Sequence, residues 1–257
     1  MDYKIVFFDV DGTLINYEDG RIEESTMIAI EQLKNNGIHI VAATGRPLSM
    51  CQGLRSIGID TFITANGAYV KHQDLVIHKI PIAKEIVHAV KAFAENNKQS
   101  LSFFTEQLSM NNVQEQETLK AMQETLSLQE FPVINKDILT QEVYLMCLYG
   151  NEEIEKRYTL KFPHLLFKRW HPYITNVLQH DVSKSIAVQA VLDYFDLSPE
   201  EALAFGDGDN DIDMLEQVGF GIAMGNGSEA LKSVANYVTK KSTEDGIHYA
   251  LRKLQII

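Results

Sequence analysis

Short apolar runs that stop abruptly at acids, hydroxyls or glycines recur near both ends of the chain. Ile5-Val6-Phe7-Phe8 is followed at once by Asp9-Val10-Asp11-Gly12-Thr13. An unbroken run of this length fits a strand buried on both faces of a parallel sheet, where no alternation with polar residues is needed. A helix is predicted next, with Ser25 or Thr26 near its start, Ile30 and Leu33 on one face, and Gly37 as its stop. Ile38-His39-Ile40-Val41-Ala42-Ala43 repeats the strand pattern and runs into Thr44-Gly45-Arg46-Pro47. A helix through Leu54 then leads to a third strand, Thr61-Phe62-Ile63-Thr64, which closes at Asn66-Gly67. Strand, helix and strand joined by short turns imply right-handed βαβ units.

The same grammar returns late. Residues 186–194 read as a helix with Val188, Val191 and Leu192 on its apolar side. Ala202-Leu203-Ala204-Phe205 is a strand ending at Gly206-Asp207, and residues 212–218 a short helix. Gly221-Ile222-Ala223-Met224 is a further strand, followed by Gly225-Asn226-Gly227 and by Ser228, which is placed to cap a helix through Val234.

The middle has another pattern. Ile82, Ile86, Val90 and Phe93 form a helical stripe, and Leu119, Met122 and Leu126 mark a second helix. Residues 101–104 and 143–149 read as strands; residues 165–170 and 174–178 read as an antiparallel pair around Pro172. No acid closes these strands. The expected fold class is therefore α/β: a doubly wound, mostly parallel, Rossmann-like sheet built from residues 1–80 and 181–257. An α+β module at 81–180 is inserted between its halves.

Composition narrows the function. The 257 residues are 45% apolar and 23% charged, an ordinary globular balance. Lys plus Arg is 23 against 35 Asp plus Glu, a formal net charge of −12. That argues against nucleic acid or an anionic membrane as partner, since both need a basic footprint. Cys51 and Cys147 are far apart and form no redox or metal pair. The N-terminal apolar run is too short for a signal peptide, and no segment approaches the roughly 20 apolar residues of a bilayer span. A cytoplasmic setting is expected.

Ligands of an open parallel sheet bind beyond the carboxyl ends of its strands. The residues found there are Asp9 to Thr13, Thr44-Gly45-Arg46, Asn66-Gly67 and Gly206-Asp207-Gly208-Asp209-Asn210-Asp211. Asp9 and Asp11 at a buried strand end repel each other unless a cation or shared proton offsets the charge. A hard cation such as Mg²⁺ takes oxygen ligands, and Asp207 can complete its site if the strand ends are neighbours. A calcium loop at Asp207 is rejected, because its sixth position is Ile212 and its twelfth is Val218. The Thr44 hydroxyl and Gly45 amide can cradle an anion. By itself Arg46 reads equally well as a surface ion pair, and Lys184 as a solvent-exposed lysine.

In this order, Asp9-Val10-Asp11-Gly12-Thr13, the Thr44 turn, Lys184 and Gly206 to Asp211 resemble the four motifs of haloacid dehalogenase-like hydrolases. Asn66-Gly67-Ala68, Met224-Gly225-Asn226 and Asp245-Gly246 resemble the Cof-type branch, which carries a large α/β cap after the third strand. The resemblance implies that Asp9 is the nucleophile and forms an aspartyl-phosphate, and that Asp11 is the general acid and base. It implies Mg²⁺ held by the Asp9 side chain, the Asp11 backbone carbonyl and Asp207, with Asp211 in support. Thr44, Gly45, Lys184 and Asn210 are implied to hold the phosphoryl group, and Asn66 to meet substrate. The second acid, Asp11, points to phosphoryl transfer rather than carbon–halogen cleavage. Two departures are Ser185, where the family usually has Gly after the lysine, and Asn176, where an acid often stands.

The expected activity is a Mg²⁺-dependent phosphatase of small phosphorylated metabolites, with sugar phosphates foremost and pyridoxal phosphate or a nucleotide as variants. A phosphomutase and a non-enzymatic sugar-phosphate-binding regulator are the rivals. A monomer or weak homodimer is expected. A closing cap would exclude water and select the leaving group by shape. Tyr149, Arg169, Trp170 and His171 are its candidate contacts, although hydrophobic packing or a solvated edge is the simpler account of each.

Overall fold

The computed structural model of the protein describes residues 3–257. They form two compact units. The first holds residues up to Arg46, Cys51–Lys79 and Ser183–Ile257; the second holds Pro47–Met50 and Ile80–Val182.

With elements numbered in chain order, the first unit begins with β1 (Ile5–Asp9), α1 (Glu24–Asn35), β2 (His39–Ala43), α2 (Gln52–Arg55), β3 (Thr61–Thr64), β4 (Tyr69–His72) and β5 (Leu75–Lys79). The second unit carries α3 (Lys84–Asn96), β6 (Leu101–Phe104), β7 (Leu108–Met110), α4 (Gln116–Leu126), β8 (Leu145–Tyr149), α5 (Glu152–Lys161), β9 (Leu166–His171) and β10 (Ile174–Leu178). The chain returns to the first unit with α6 (Lys184–Phe195), β11 (Ala202–Gly206), α7 (Ile212–Gln217), β12 (Phe220–Ala223), α8 (Glu229–Val234), β13 (Tyr237–Val238) and α9 (Gly246–Lys253).

The first unit's eight strands form one sheet in the order β13-β12-β11-β1-β2-β3-β4-β5. From β13 to β3 every pairing is parallel; β4 and β5 add an antiparallel edge. This is the α/β, mostly parallel arrangement that the alternating pattern predicts. One face, with Ile5, Phe7, Val41, Ala43, Ile63, Ala202 and Ala204, packs on Val188, Val191 and Leu192 of α6 and on Met214 and Leu215 of α7. Val6 and Phe8 point to the opposite face, where α1 lies against β2 and α9.

Register positions the chemistry. All five residues of β1 are buried. Slipping the strand by one residue would exchange its faces. Burying each Ile, Val or Phe contributes about 1.5–3 kcal/mol, so the register that leaves Asp9 at the strand's carboxyl end is strongly specified. β1 lies between β2 and β11, which brings Ala43 and Gly206, and the loops that follow them, beside Asp9.

The second unit is a five-stranded antiparallel sheet, β7-β6-β8-β10-β9. Leu101, Phe103, Met146, Leu148 and Val177 share a core with Val87, Val90 and Ala94 of α3 and Tyr158 of α5.

Several details differ from the sequence reading. Helix α1 starts at Glu24 behind an extended Glu23 that offers no side-chain cap, and Ser25 instead donates to Asp245 Oδ1 at 2.6 Å. β12 begins at Phe220 rather than Gly221. The β4–β5 hairpin, β7, α5, β13 and α9 were not foreseen. Helix α5 is mostly polar and buries only Tyr158, so periodicity barely marks it; its signal is the cap, where Asn151 Oδ1 accepts from Glu153 and Ile154 N–H.

Candidate active site

The carboxyl ends of β1 and β11 bring three acids together. Carboxylate oxygens of Asp9, Asp207 and Asp211 lie within 4.8 Å of one another, and all three residues are buried. Lys184 enters this group from the first turn of α6. Its ammonium donates to Asp9 Oδ1 and Asp211 Oδ1, both at 2.5 Å, and to the Ala43 carbonyl at 2.9 Å. Only 1% of Lys184 is exposed, so the solvent-facing reading of this lysine is overturned.

Local contacts hold each member. Ser183 caps α6 by accepting from Ile186 N–H at 3.3 Å, and Asp213 Oδ2 accepts from Ser185 N–H at 3.0 Å. Asp211 Oδ2 accepts from the N–H groups of Asp207 and Gly208, each at 3.0 Å. Thr13 donates to Asp207 Oδ1 at 2.9 Å, fixing that carboxylate's rotation. Gly12 (φ +88°) is required beside it: a Cβ there would lie 2.2 Å from Asp207 Oδ2.

Charge in this group is unbalanced, with three carboxylates around one ammonium. Burial, then repulsion from Asp211, hold the Asp9 carboxyl well above the usual carboxylate range despite Lys184. Burial and Asp211 push Asp207 up to about 7, against the Thr13 bond and Lys184. Burial lowers Lys184, but Asp211 and Asp9 outweigh it and raise the ammonium's pKa. An all-oxygen donor set that carries surplus negative charge in a buried site fits a hard divalent cation.

Thr44 and Gly45 follow β2. Thr44 is buried, and its Oγ1 accepts from Arg46 N–H at 3.1 Å. The Gly45 N–H has no acceptor among the described residues, as an anion cradle requires. Asn66 stands over this turn: a Cβ on Gly45 would lie 3.1 Å from Asn66 Oδ1. Ala65, Asn66 and Gly67 all have positive φ (50°, 56° and 104°), two of them without glycine's freedom. Asn210 is exposed, with Nδ2 3.5 Å from Asn66 Oδ1.

Asp11 stands apart from the buried acids. Its carboxylate is gripped by Arg46, with Nε 3.0 Å from Oδ2 and Nη2 2.5 Å from Oδ1. Its backbone carbonyl, the oxygen that the resemblance assigns to the metal, accepts from Tyr17 Oη at 2.8 Å. Arg46 and Tyr17 were both missed as site residues. Arg46 carried a signal in its place just after the Thr44 turn; Tyr17 carried none beyond closeness to Gly12.

In the second unit, Tyr149 Oη lies 3.0 Å from Ser102 Oγ, Trp170 Nε1 donates to Asn176 Oδ1 at 2.9 Å, and His171 lies 3.3 Å from Glu124. Arg169 pairs with Glu155 at 2.7 Å and donates to the Gly150 and Pro172 carbonyls. Each candidate contact thus has a partner within its own unit. Burial pushes the thiols of Cys51 and Cys147 up to about 12, which leaves no reactive thiolate.

The chain as a whole is similar to known proteins. The haloacid dehalogenase-like hydrolase family profile matches residues 6–251. The Bacillus subtilis (strain 168) protein YkrA, provisionally named a phosphatase, is 34% identical in an alignment of 260 positions that covers 100% of each chain. A crystal structure of a Geobacillus kaustophilus HTA426 protein of unassigned function superposes with a TM-score of 0.92 at 35% identity, covering 99% of this chain and 100% of that one. The subclass IIB sugar phosphatase BT4131 superposes at 0.84, also with 35% identity and the same coverage. The chain belongs to the haloacid dehalogenase-like hydrolases, and it is an enzyme of the phosphatase class. Among the described residues no helix is long and apolar enough to cross a membrane.

Proposed function

We propose that the protein is a Mg²⁺-dependent phosphatase of small phosphorylated metabolites, with sugar phosphates as its substrate class. The observation that carries this reading is the buried Asp9–Asp207–Asp211 group with Lys184 between Asp9 and Asp211, at the end of β1 beside the strand that leads into the Gly45 turn. The sugar-phosphate class draws on the similarity to BT4131.

Asp9, Asp207 and Asp211 would hold Mg²⁺, together with the Asp11 carbonyl once Tyr17 shares or releases it. When bound, the ion offsets the negative charge that otherwise keeps an anionic nucleophile from an anionic phosphate. The chain's own groups do the rest. An Asp9 oxygen attacks phosphorus, the bond from phosphorus to the leaving oxygen breaks, and Asp11 gives that oxygen a proton. Water then attacks the aspartyl-phosphate, its proton passes to Asp11, and the bond from phosphorus to Asp9 breaks. Lys184, the Thr44 hydroxyl, the Gly45 amide and Asn210 orient the phosphoryl oxygens, with Asn66 toward the leaving group. The second unit serves as the substrate-selecting cap.

The test is phosphate release from p-nitrophenyl phosphate and from a panel of phosphorylated metabolites, with and without Mg²⁺. Wild type is expected to hydrolyse both, and Asp9→Asn neither. Substantial hydrolysis by Asp9→Asn would overturn the mechanism. An isomeric phosphate product with little free phosphate would instead establish a mutase.

A further inference from the structure

The loops after the neighbouring parallel strands β1 and β2 place Asp11 and Arg46 side by side. The guanidinium meets the carboxylate with two N–H groups, Nε on Oδ2 at 3.0 Å and Nη2 on Oδ1 at 2.5 Å. No other side chain among the described residues hydrogen-bonds that carboxylate. Arg46 is itself fixed through its backbone, whose N–H donates to Thr44 Oγ1 at 3.1 Å and whose carbonyl accepts from Ala65 N–H at 3.1 Å. Its side chain is 19% exposed, too covered for a free surface arginine.

A two-bond fork fixes both the place and the rotation of a carboxylate, which a point charge cannot do. Asp11 has to serve two different oxygens in turn, the leaving oxygen and then the attacking water. Misplacement by about 1 Å can cost on the order of 10²-fold in rate. We propose that Arg46 is the positioning residue of the acid–base step: it fixes the place and rotation of the Asp11 carboxylate from the loop after β2, so that the phosphate-binding turn at Thr44 and the proton-transfer group form one rigid unit. The inference rests on the phosphatase reading above and assigns Arg46 no contact with the phosphate.

The two half-reactions separate this role from a structural one. p-Nitrophenolate is acidic enough to leave without a proton, so its release on attack by Asp9 does not need Asp11. Hydrolysis of the aspartyl-phosphate does need Asp11, to take the proton from water. Rapid mixing of the Mg²⁺-supplied enzyme with p-nitrophenyl phosphate reads the first step as a burst of p-nitrophenolate and the second as the steady state. For Arg46→Ala the burst rate should stay within about threefold of wild type while the steady state falls at least about tenfold, part of the 10²–10⁴-fold that acid–base groups supply. Arg46→Lys keeps the charge and loses the fork, so it should fall between the two; it carries the same comparison should Arg46→Ala fail to fold.

Burst and steady state falling together would overturn the proposal, because a damaged fold or a lost phosphate contact slows both. No change in either would overturn it too. A wild type that releases p-nitrophenolate but shows no such split in its Arg46 variants refutes only this inference. A wild type that never releases p-nitrophenolate refutes the phosphatase reading beneath it.

Discussion

The Lys184 ammonium sits 2.5 Å from Asp9 Oδ1, with 1% of the lysine and 6% of the aspartate exposed. It is equally close to Asp211. Removing one partner of a buried ion pair leaves the other charge uncompensated, at a cost of about 3–5 kcal/mol. Lys184→Met is therefore expected to lower unfolding free energy by that order in urea titrations without added metal. The deficit should shrink as pH falls, because protonating Asp9 removes the unpaired charge. A variant as stable as wild type at neutral pH would show that the lysine is not compensating the acids.

Asp9→Asn acts in the opposite direction. Asn keeps the shape and removes one of three like charges from a buried group that already resists ionisation at Asp9. Without metal, its thermal midpoint is expected to equal or exceed that of wild type, while phosphate release disappears. Loss of activity accompanied by a large drop in midpoint would point to a structural role for Asp9 instead of nucleophilic attack.

Asp207 makes the site pH-sensitive. Its carboxyl is pushed up to about 7, first by burial and then by Asp211. A raised folded-state value means that the folded protein binds the proton more tightly than the unfolded chain. The stability this contributes is full below the unfolded carboxylate range and is lost as pH rises through about 7. Relative to Asp207→Asn, whose amide oxygen can still accept from Thr13, metal-free wild type should lose stability progressively from about pH 4, where the unfolded carboxyl ionises, up to about 7. Mg²⁺ should raise the wild-type midpoint most at the upper end of that window and leave Asp207→Asn nearly unmoved. A pH-independent gap between the two proteins would contradict the assignment.

Much of this site was legible because burial and chemistry leave opposite marks on the chain. Ile5 to Phe8 and Ala202 to Phe205 are unbroken apolar runs, so the acids that end them stand out, and the structure brings Asp9, Asp207 and Asp211 together. The β4–β5 hairpin was not legible, because β5 is a half-exposed edge strand that mixes Leu75, Val76 and Ile77 with His78 and Lys79. Nor was the pairing of Arg46 with Asp11. It depends on β1 and β2 being neighbours and on the rotation of two side chains, which neither periodicity nor spacing encodes. Tyr17 is similar: its hydroxyl reaches the Asp11 carbonyl only because the loop folds back over Gly12.

Gly67 couples the strained turn after β3 to the lysine. It has φ +104°, and a Cβ built on it would lie 2.1 Å from the Ser183 carbonyl oxygen and 3.1 Å from Lys184 N. These are backbone atoms at the first turn of α6, so they cannot swing aside as a side-chain end could. Gly67→Ala must either move α6 away from the turn, which displaces the Lys184 ammonium from its 2.5 Å contacts, or change the turn's backbone, which displaces Asn66. The substitution also places a Cβ at a positive φ, a strain of about 1–3 kcal/mol. It is expected to lower the thermal midpoint and to cut kcat at least about tenfold, on the order of the loss that follows from small misplacement of a site group. By contrast, Gly20→Ala meets nothing within 4 Å at φ +72° and should lose stability while sparing kcat. Equal kcat losses in the two variants would show that the backbone contact between Gly67 and Ser183 does not set the position of Lys184.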